Sequence, residues 1–163
     1  MLFYILGIVG LVFIIGLIIF KLKSEYTLYG GKVDECVKRL EDKPYNFSEV
    51  EVLETLISEN IKSHFYEKIN IKEFEKSKQD IFEFHKKIIQ IKKTIDTTIH
   101  ENPKLKNLNE FQVIYSSFEK DYVYFISLCN YYNDSISVLN KMLHKFPTNL
   151  IGKLLGYKDK KFF

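Results

Sequence analysis

The chain contains no tryptophan, one arginine, and little glycine, proline or cysteine. Of its 24 basic residues only Arg39 is an arginine, and the other 23 are lysines. The guanidinium group of arginine binds phosphates in a bidentate way, so a chain with a single arginine is not typical of nucleic-acid-binding proteins. The net charge of +3 is better explained by solubility. Seven glycines and three prolines leave few helix breakers, and abundant Glu and Lys favour helices.

The two cysteines, Cys36 and Cys129, form no CxxC motif. Their spacing allows a disulfide but gives no argument for one. Cys129 falls on the apolar face of a predicted helix, so a buried thiol is the more favoured state there.

Residue patterns of catalytic and metal sites are missing as well. No two histidines lie four residues apart, and neither HExxH nor Glu-x-x-His occurs, so neither a zinc nor a di-iron site is predicted. Gly30-Gly31 stands alone and does not form a phosphate-binding loop. We therefore expect no catalytic residues, no metal site, no cofactor and no enzymatic activity. The scattered histidines are His64, His85, His100 and His144.

Charge is absent from the first 20 residues, MLFYILGIVGLVFIIGLIIF. A helix of this length spans about 30 Å, the thickness of the hydrocarbon core of a bilayer, and it lacks the polar face of a soluble core helix. Lys21 and Lys23 end the run where headgroups would begin. No basic residue precedes it and no small-x-small cleavage site follows, so the pattern predicts a retained single-pass anchor over residues 1–23.

The charge asymmetry around this anchor predicts its orientation. Lys21, Lys23 and Lys32 follow the run, whereas the other flank carries only the amino terminus. The positive-inside rule then favours a cell-membrane protein whose helical domain is cytoplasmic. The Lys, Ile and Asn bias is typical of a bacterial protein from an AT-rich genome.

The segment 24–47 is expected to be a juxtamembrane helix and turn, with Gly30-Gly31 as a break or hinge and the turn at residues 43–46. Ser48 followed by Glu51 fits a capping box and predicts a helix start. The inner face of that helix would comprise Leu53, Leu56, Ile57, Ile61 and Phe65.

A second helix is predicted from Glu73 to His100, with an apolar seam in steps of three and four. The lysines off this seam are interpreted as a solvated face, the alternative being a membrane-surface or nucleic-acid patch. Pro103 ends the helix. The seam comprises Ile81, Phe84, Ile88, Ile91, Ile95 and Thr98, and the lysines are Lys86, Lys87, Lys92 and Lys93.

The longest helix is predicted to begin at Asn109, capped with Gln112, and to end before Pro147, a length of roughly 55 Å. Its 4-3 seam is interpreted as core and not as a ligand site. The chain is thus expected to be all-α, an N-terminal transmembrane helix followed by an elongated antiparallel bundle of three to four helices over residues 48–163. The seam comprises Phe111, Tyr115, Phe118, Tyr122, Phe125, Cys129, Tyr132, Ile136, Leu139, Leu143 and Phe146.

The last third carries a family pattern: YYNDSISVLN over residues 131–140, FPTNL over 146–150, Gly156-Tyr157 and the closing Phe162-Phe163. With the uncharged anchor and the Pro103-x-Leu105 turn, these residues resemble the LemA family. The resemblance implies a membrane-bound helical protein without an established catalytic activity. Its motif positions here are Tyr132, Asn133, Asn140, Phe146, Pro147, Gly156, Phe162 and Phe163.

Asn133 and Asn140 lie seven residues apart beside the seam. Such amides are expected to bond across helices or to hold a loop, with ligand binding as the alternative. The tail from Leu150 onward mixes apolar residues with lysines. It would either fold over the end of the bundle or touch the bilayer as a basic amphipathic segment.

These patterns lead to a membrane-anchored, non-catalytic scaffold or adaptor of the LemA type. Its expected partners are the lipid bilayer and a protein, with no nucleic acid, and self-association is left open. The alternative function is a lipid- or membrane-surface-binding module that uses the basic amphipathic C-terminal tail.

Overall fold

The computed structural model describes residues 1–42, 47–61 and 69–163, and all regular secondary structure in these ranges is helical. The predicted all-α class is confirmed. The expected turn at residues 43–46, together with His64 and Phe65, lies outside the described residues. The elements are α1 (Leu2–Asp42), α2 (Glu49–Asn60), α3 (Ile71–Ser77), α4 (Ile81–Glu101), a 3₁₀ helix (Pro103–Asn107), α5 (Asn109–His144) and α6 (Thr148–Leu154).

Contacts group the chain into two compact units. The first unit comprises residues 1–39 and 130–162, and the second comprises residues 40–129 and Phe163. Helices α1 and α5 contribute residues to both. Both cysteines are buried thiols, Cys36 in the first unit and Cys129 in the second, so the expected burial of Cys129 is confirmed.

Helix α1 runs for 41 residues without interruption. The break or hinge expected at Gly30-Gly31 is therefore wrong. The two glycines cost helix propensity, but Gly30 is covered by Tyr157, so packing in the folded chain supports the helix there. Residues 3–20 are exposed, and α1 is long and apolar enough to cross a membrane by length and composition.

The buried residues of the first unit come from the second half of α1 and the end of α5. On α1 they recur at heptad-like spacing, and on α5 they continue the predicted seam. Along the exposed first half of α1 no such contacts occur. The apolar side chains of this core are Tyr26, Val33, Cys36, Tyr132, Ile136, Leu139 and Leu143.

The second unit has an aromatic centre around Phe47, whose ring lies 5.7 Å from Phe84 and 5.8 Å from Phe118, centroid to centroid. The inner face predicted for α2 is confirmed where it is described, because Leu53, Ile57 and Ile61 are buried. The apolar rings and aliphatic side chains of α2, α4 and α5 thus meet in one cluster.

Helix α2 begins beside Ser48 as predicted, but the capping box is wrong. Ser48 has helical backbone angles and its side chain makes no capping hydrogen bond. The first turn is closed instead by the amide of Val50, which donates to the carbonyl of Phe47 at 2.9 Å. Phe47 is itself buried, so burial of its ring, and not a hydroxyl cap, positions the start of the helix.

The single helix predicted from Glu73 to His100 is two helices, α3 and α4, separated at residues 78–80. The side chain of Asp80 caps α4 by accepting the amides of Phe82 (2.8 Å) and Glu83 (3.4 Å). An acidic N-cap three residues before a glutamate is a helix-start signal that periodicity alone overlooked. The seam itself is confirmed from Phe84 to Thr98.

Helix α5 matches its prediction in length, and its predicted seam from Phe111 to Leu143 is buried except at Tyr115 and Tyr122, which are half-buried. The expected capping by Asn109 and Gln112 is wrong, because the Gln112 side-chain amide donates to the carbonyl of Lys106. Phe146 was placed on the seam, but it lies beyond the end of the helix and is 74% exposed. Pro147, three residues beyond the end of the helix, keeps the seam from continuing.

Candidate functional site

The two motif asparagines have different environments on α5. Asn133 is half-buried next to the buried ring of Tyr132. Asn140 pairs with the backbone of Lys160: its amide nitrogen donates to the Lys160 carbonyl at 3.0 Å, and the Lys160 amide donates to its oxygen at 3.1 Å. Asn140 therefore holds the C-terminal tail against α5 through both of its polar atoms.

Pro147 and Gly156 bracket α6. Pro147 stands at the N-cap position, and Gly156 follows the helix with a φ of +77°. The Gly156 amide donates to Lys153 (3.1 Å) and the Tyr157 amide to Gly152 (3.0 Å), the two bonds of a Schellman closure. The left-handed backbone at Gly156 explains why a glycine is suited to this position.

The closing phenylalanines differ in burial. Phe163 belongs to the second unit, where its ring stacks on Phe82 at 4.6 Å and lies 5.3 Å from the His85 ring. Burial lowers the pKa of His85. Phe162 belongs to the first unit and is mainly exposed.

An aromatic junction joins α6 to α1 within the first unit, and sequence reasoning missed it. Tyr26 is 0% exposed; its hydroxyl donates to the Thr148 carbonyl at 3.0 Å, and its ring stacks on Tyr157 at 5.3 Å. The Thr148 hydroxyl donates to the carbonyls of Met142 and Lys145, each at 2.5 Å. The start of α6 is thereby bonded both to α1 and to the end of α5.

Two glycines allow this close approach. A Cβ added at Gly152 would lie 2.6 Å from both Leu143 Cδ2 and the Tyr26 hydroxyl oxygen, and one added at Gly30 would lie 2.7 Å from the Tyr157 ring. Gly152 and Tyr26, like Gly30 and Tyr157, are far apart in sequence, so helical periodicity could not reveal these contacts. The spacing of Tyr26, Val33 and Leu40 was a readable signal that this part of α1 has a buried face.

The opposite side of α6 exposes large apolar side chains. Leu150 is 57% exposed and Leu154 is 82% exposed, while the half-buried Ile151 packs inward on the small core. Lys153 on the same helix is also exposed. The tail thus packs through Ile151 and Tyr157 but leaves an apolar and basic outer face.

A polar cluster in the second unit surrounds Lys92, which was expected to be solvated with its neighbours. That expectation is wrong for Lys92: its side chain is 13% exposed, and its ammonium lies 2.6 Å from Asp96, 2.8 Å from the Tyr115 hydroxyl and 3.4 Å from Glu119. The Tyr115 hydroxyl donates to Asp96 at 2.7 Å. The long lysine stem lets a residue off the seam reach these partners. Lys86 and Lys93 are exposed as expected.

The electrostatics of this cluster favour its charged form. Burial alone would lower the pKa of Lys92, but the hydrogen bonds to Asp96 and Tyr115 outweigh it and raise that pKa. Burial raises the pKa of Tyr115, against the opposing effect of Lys92. A lysine held protonated is a poor base or nucleophile, so this cluster is suited to joining α4 to α5.

Among residues 1–42, 47–61 and 69–163, no group of three His, Cys, Asp or Glu side chains is placed to hold a metal ion. No family model, no curated protein and no solved structure matches the chain.

Proposed function

We propose that the chain is a non-catalytic, single-pass protein of the cell membrane. Its helical domain would act on the cytoplasmic side as a scaffold or adaptor of the LemA type, by binding a protein partner. The resemblance of residues 131–140, 146–150, 156–157 and 162–163 to that family supports this assignment.

The observation that carries the proposal is that α1 is both an exposed uncharged segment and part of a packed core. Its first half is uncharged and unburied, while the same unbroken helix contributes Tyr26, Val33 and Cys36 to a packed core. A hydrophobic half of about 20 residues is long enough to span a bilayer. Because no flexible linker separates the span from this core, a bound partner would be presented at a defined height above the membrane.

The polar side chains described above also support a binding role. Asn140 pairs with backbone, Tyr26 and Thr148 join helices, and Lys92 is held by three oxygens. Each of these groups is engaged in holding one segment to another. Polar groups that hold segments together in this way are expected in a protein that acts through its surface and not through a reactive cleft.

Sidedness is tested by cysteine labelling in cells. Lys120 is exposed on α5, and both native thiols are buried, so Lys120→Cys adds one reactive position. A membrane-impermeant maleimide should label the variant only after the cells are permeabilised. Labelling of intact cells would contradict the cytoplasmic orientation, and the parent chain is the control for background reaction of Cys36 and Cys129.

Partner binding is tested with a photo-cross-linking amino acid in the full-length protein in its native membrane. Tyr124 is exposed on α5, whereas its neighbour Phe125 is buried and serves as the matched control. We expect illumination of the Tyr124 variant to give one discrete adduct with another protein, and the Phe125 variant to give none. Adducts with lipid or with a second copy alone would contradict the adaptor function.

A further inference from the structure

The outer face of α6 has no covering group in the described chain. Leu150 and Leu154 are one turn apart, and at 3.6 residues per turn each points about 160° away from Gly152. Gly152 is buried against Tyr26 and Leu143, so the packed side of α6 is settled. The opposite side, with Leu150 and Leu154, is exposed, and Phe146, two residues before the helix, is exposed as well.

The charge around this face is of one sign. Residues 141–163 contain six lysines and a single acidic residue, Asp159. The carboxylate of Asp159 lies 3.0 Å from the His144 ring nitrogen. Lys145 and Lys153 are exposed next to the apolar side chains. Large apolar groups with a lysine rim are typical of segments that lie in the interface of a bilayer with anionic lipid.

The junction fixes the distance of α6 from the end of the uncharged run. Six residues separate Phe20 from Tyr26, which at 1.5 Å per residue is about 9 Å along α1. Tyr26 contacts α6 at both Thr148 and Gly152. The headgroup layer adds roughly 5–8 Å on each side of the hydrocarbon core, so a segment packed on Tyr26 lies at the outer edge of that layer, within side-chain reach of the headgroups.

We propose that the outer face of α6, formed by Leu150 and Leu154 with Lys153 beside them, binds the anionic headgroup layer of the leaflet from which α1 emerges. This inference rests on the proposed membrane anchoring of α1. A lipid surface is favoured over a protein because the junction ties this face to the end of the span and because the lysines complement anionic lipid.

The absence of tryptophan permits a direct test with single-tryptophan variants of the full chain. The full-length protein is reconstituted into vesicles of phosphatidylcholine and phosphatidylglycerol, one set with acyl chains brominated near the glycerol for the interfacial reporters and one set brominated near the chain ends for Phe13. Leu154→Trp reports on α6, Val113→Trp on an exposed site of α5, and Phe13→Trp on the uncharged half of α1. We expect Phe13→Trp and Leu154→Trp to lose emission through bromine quenching, and Val113→Trp to keep it.

The three reporters separate the two proposals. If Phe13→Trp is not quenched, the anchoring of α1 fails. If Phe13→Trp is quenched while Leu154→Trp emits like Val113→Trp, anchoring stands and the inference about α6 is overturned, which would leave this face to a protein partner. Quenching of Leu154→Trp with a blue-shifted emission supports the inference.

The role of charge is tested in the same background. Lys145→Glu and Lys153→Glu together should reduce the quenching of Leu154→Trp, as should vesicles made without phosphatidylglycerol. Lys120→Glu on α5 is the matched charge reversal and should leave the quenching unchanged. Quenching that resists both the double reversal and the neutral lipid would overturn the anionic-headgroup proposal.

Discussion

The second unit buries a broad set of apolar side chains from α2, α4 and α5, whereas the first unit has a small core closed by close contacts. In the second, aromatic rings meet at 5–6 Å and burial is the main stabilising contribution. In the first, α6 and the tail that follows it are held by a tyrosine hydroxyl, an asparagine amide and two glycines without room for a Cβ.

This difference bears on which substitutions each unit can tolerate. A large apolar core loses free energy in proportion to the volume removed, and many of its positions behave alike. A contact made through glycine depends on the shape of a few residues and fails when atoms are added. The proposed membrane-facing side of the protein therefore depends on the more specific of the two kinds of packing.

The largest effect is expected from removing a ring in the second unit. Phe118 is fully buried, and Phe118→Ala should lower the free energy of unfolding by about 3–5 kcal/mol through lost burial and the cavity left behind. Urea unfolding of the full chain in detergent micelles, followed by circular dichroism, measures this change. Val113→Ala on the same helix is exposed and should change stability little; equal effects would contradict a burial-dominated core.

The next largest effect is expected when a side chain is added at a glycine in the core of the first unit, where close contacts leave no room for it. Gly152→Leu would drive side-chain atoms into Tyr26 and Leu143, at an expected cost of about 1–3 kcal/mol. Hydrogen exchange measured by mass spectrometry should show faster exchange in residues 148–157. Gly31→Leu is the matched control because a Cβ there meets nothing within 4 Å. Unchanged exchange in the Gly152→Leu protein would argue against the junction.

A smaller loss is expected where the second unit relies on charge. Lys92→Met keeps most of the apolar stem but removes the cation that joins Asp96, Tyr115 and Glu119. We expect a loss of about 1–2 kcal/mol, since the partners left behind are partly accessible to water. Lys93→Met, the next residue along α4, is exposed and should have little effect. If the two variants were equally stable, the contacts of Lys92 would contribute no more to stability than those of a surface lysine.

The smallest effect concerns acid sensitivity of the second unit. Burial lowers the pKa of His85 below its ordinary value of about 6.5, so the unfolded chain binds the proton more readily. The stability that neutral His85 contributes is present above about pH 6.5 and is lost as the pH falls through the folded pKa.

Urea unfolding midpoints near neutral pH and near pH 5 test this linkage. His85→Gln should reduce the loss of stability on acidification, because glutamine does not titrate. His100→Gln, at an exposed position, should retain the acid dependence of the parent chain. If His85→Gln loses as much stability as the parent, His85 is not the group responsible.

Several features were readable from local pattern. The 4-3 spacing on α5 and the seam of α4 were predicted with their buried residues, because helical periodicity is a property of each segment alone. The same reasoning overlooked the cap at Asp80, although Asp followed by Glu three residues later is a recognisable start signal. It also left Phe146 on a seam that ends before it.

Most contacts of the candidate site could not be predicted from helical periodicity. Tyr26 and Thr148 are 122 residues apart, and nothing in either segment indicates that they meet. Lys92 sits off its seam, where a lysine ordinarily faces water, and only the approach of Tyr115 and the stem length of the lysine make it a buried partner. Gly30 was expected to be part of a break or hinge, yet Gly30 and Gly152 are both contact residues.

The amino-acid sequence by itself determined the helical class, the uncharged run of α1 and the buried seams, because composition and period act within single segments. The tertiary structure alone decided which side of α6 packs on Tyr26, which side stays exposed, and where Asn140 and Lys92 find their partners. The physical reason is that these contacts depend on the distance between segments remote in the chain, which local propensity does not specify.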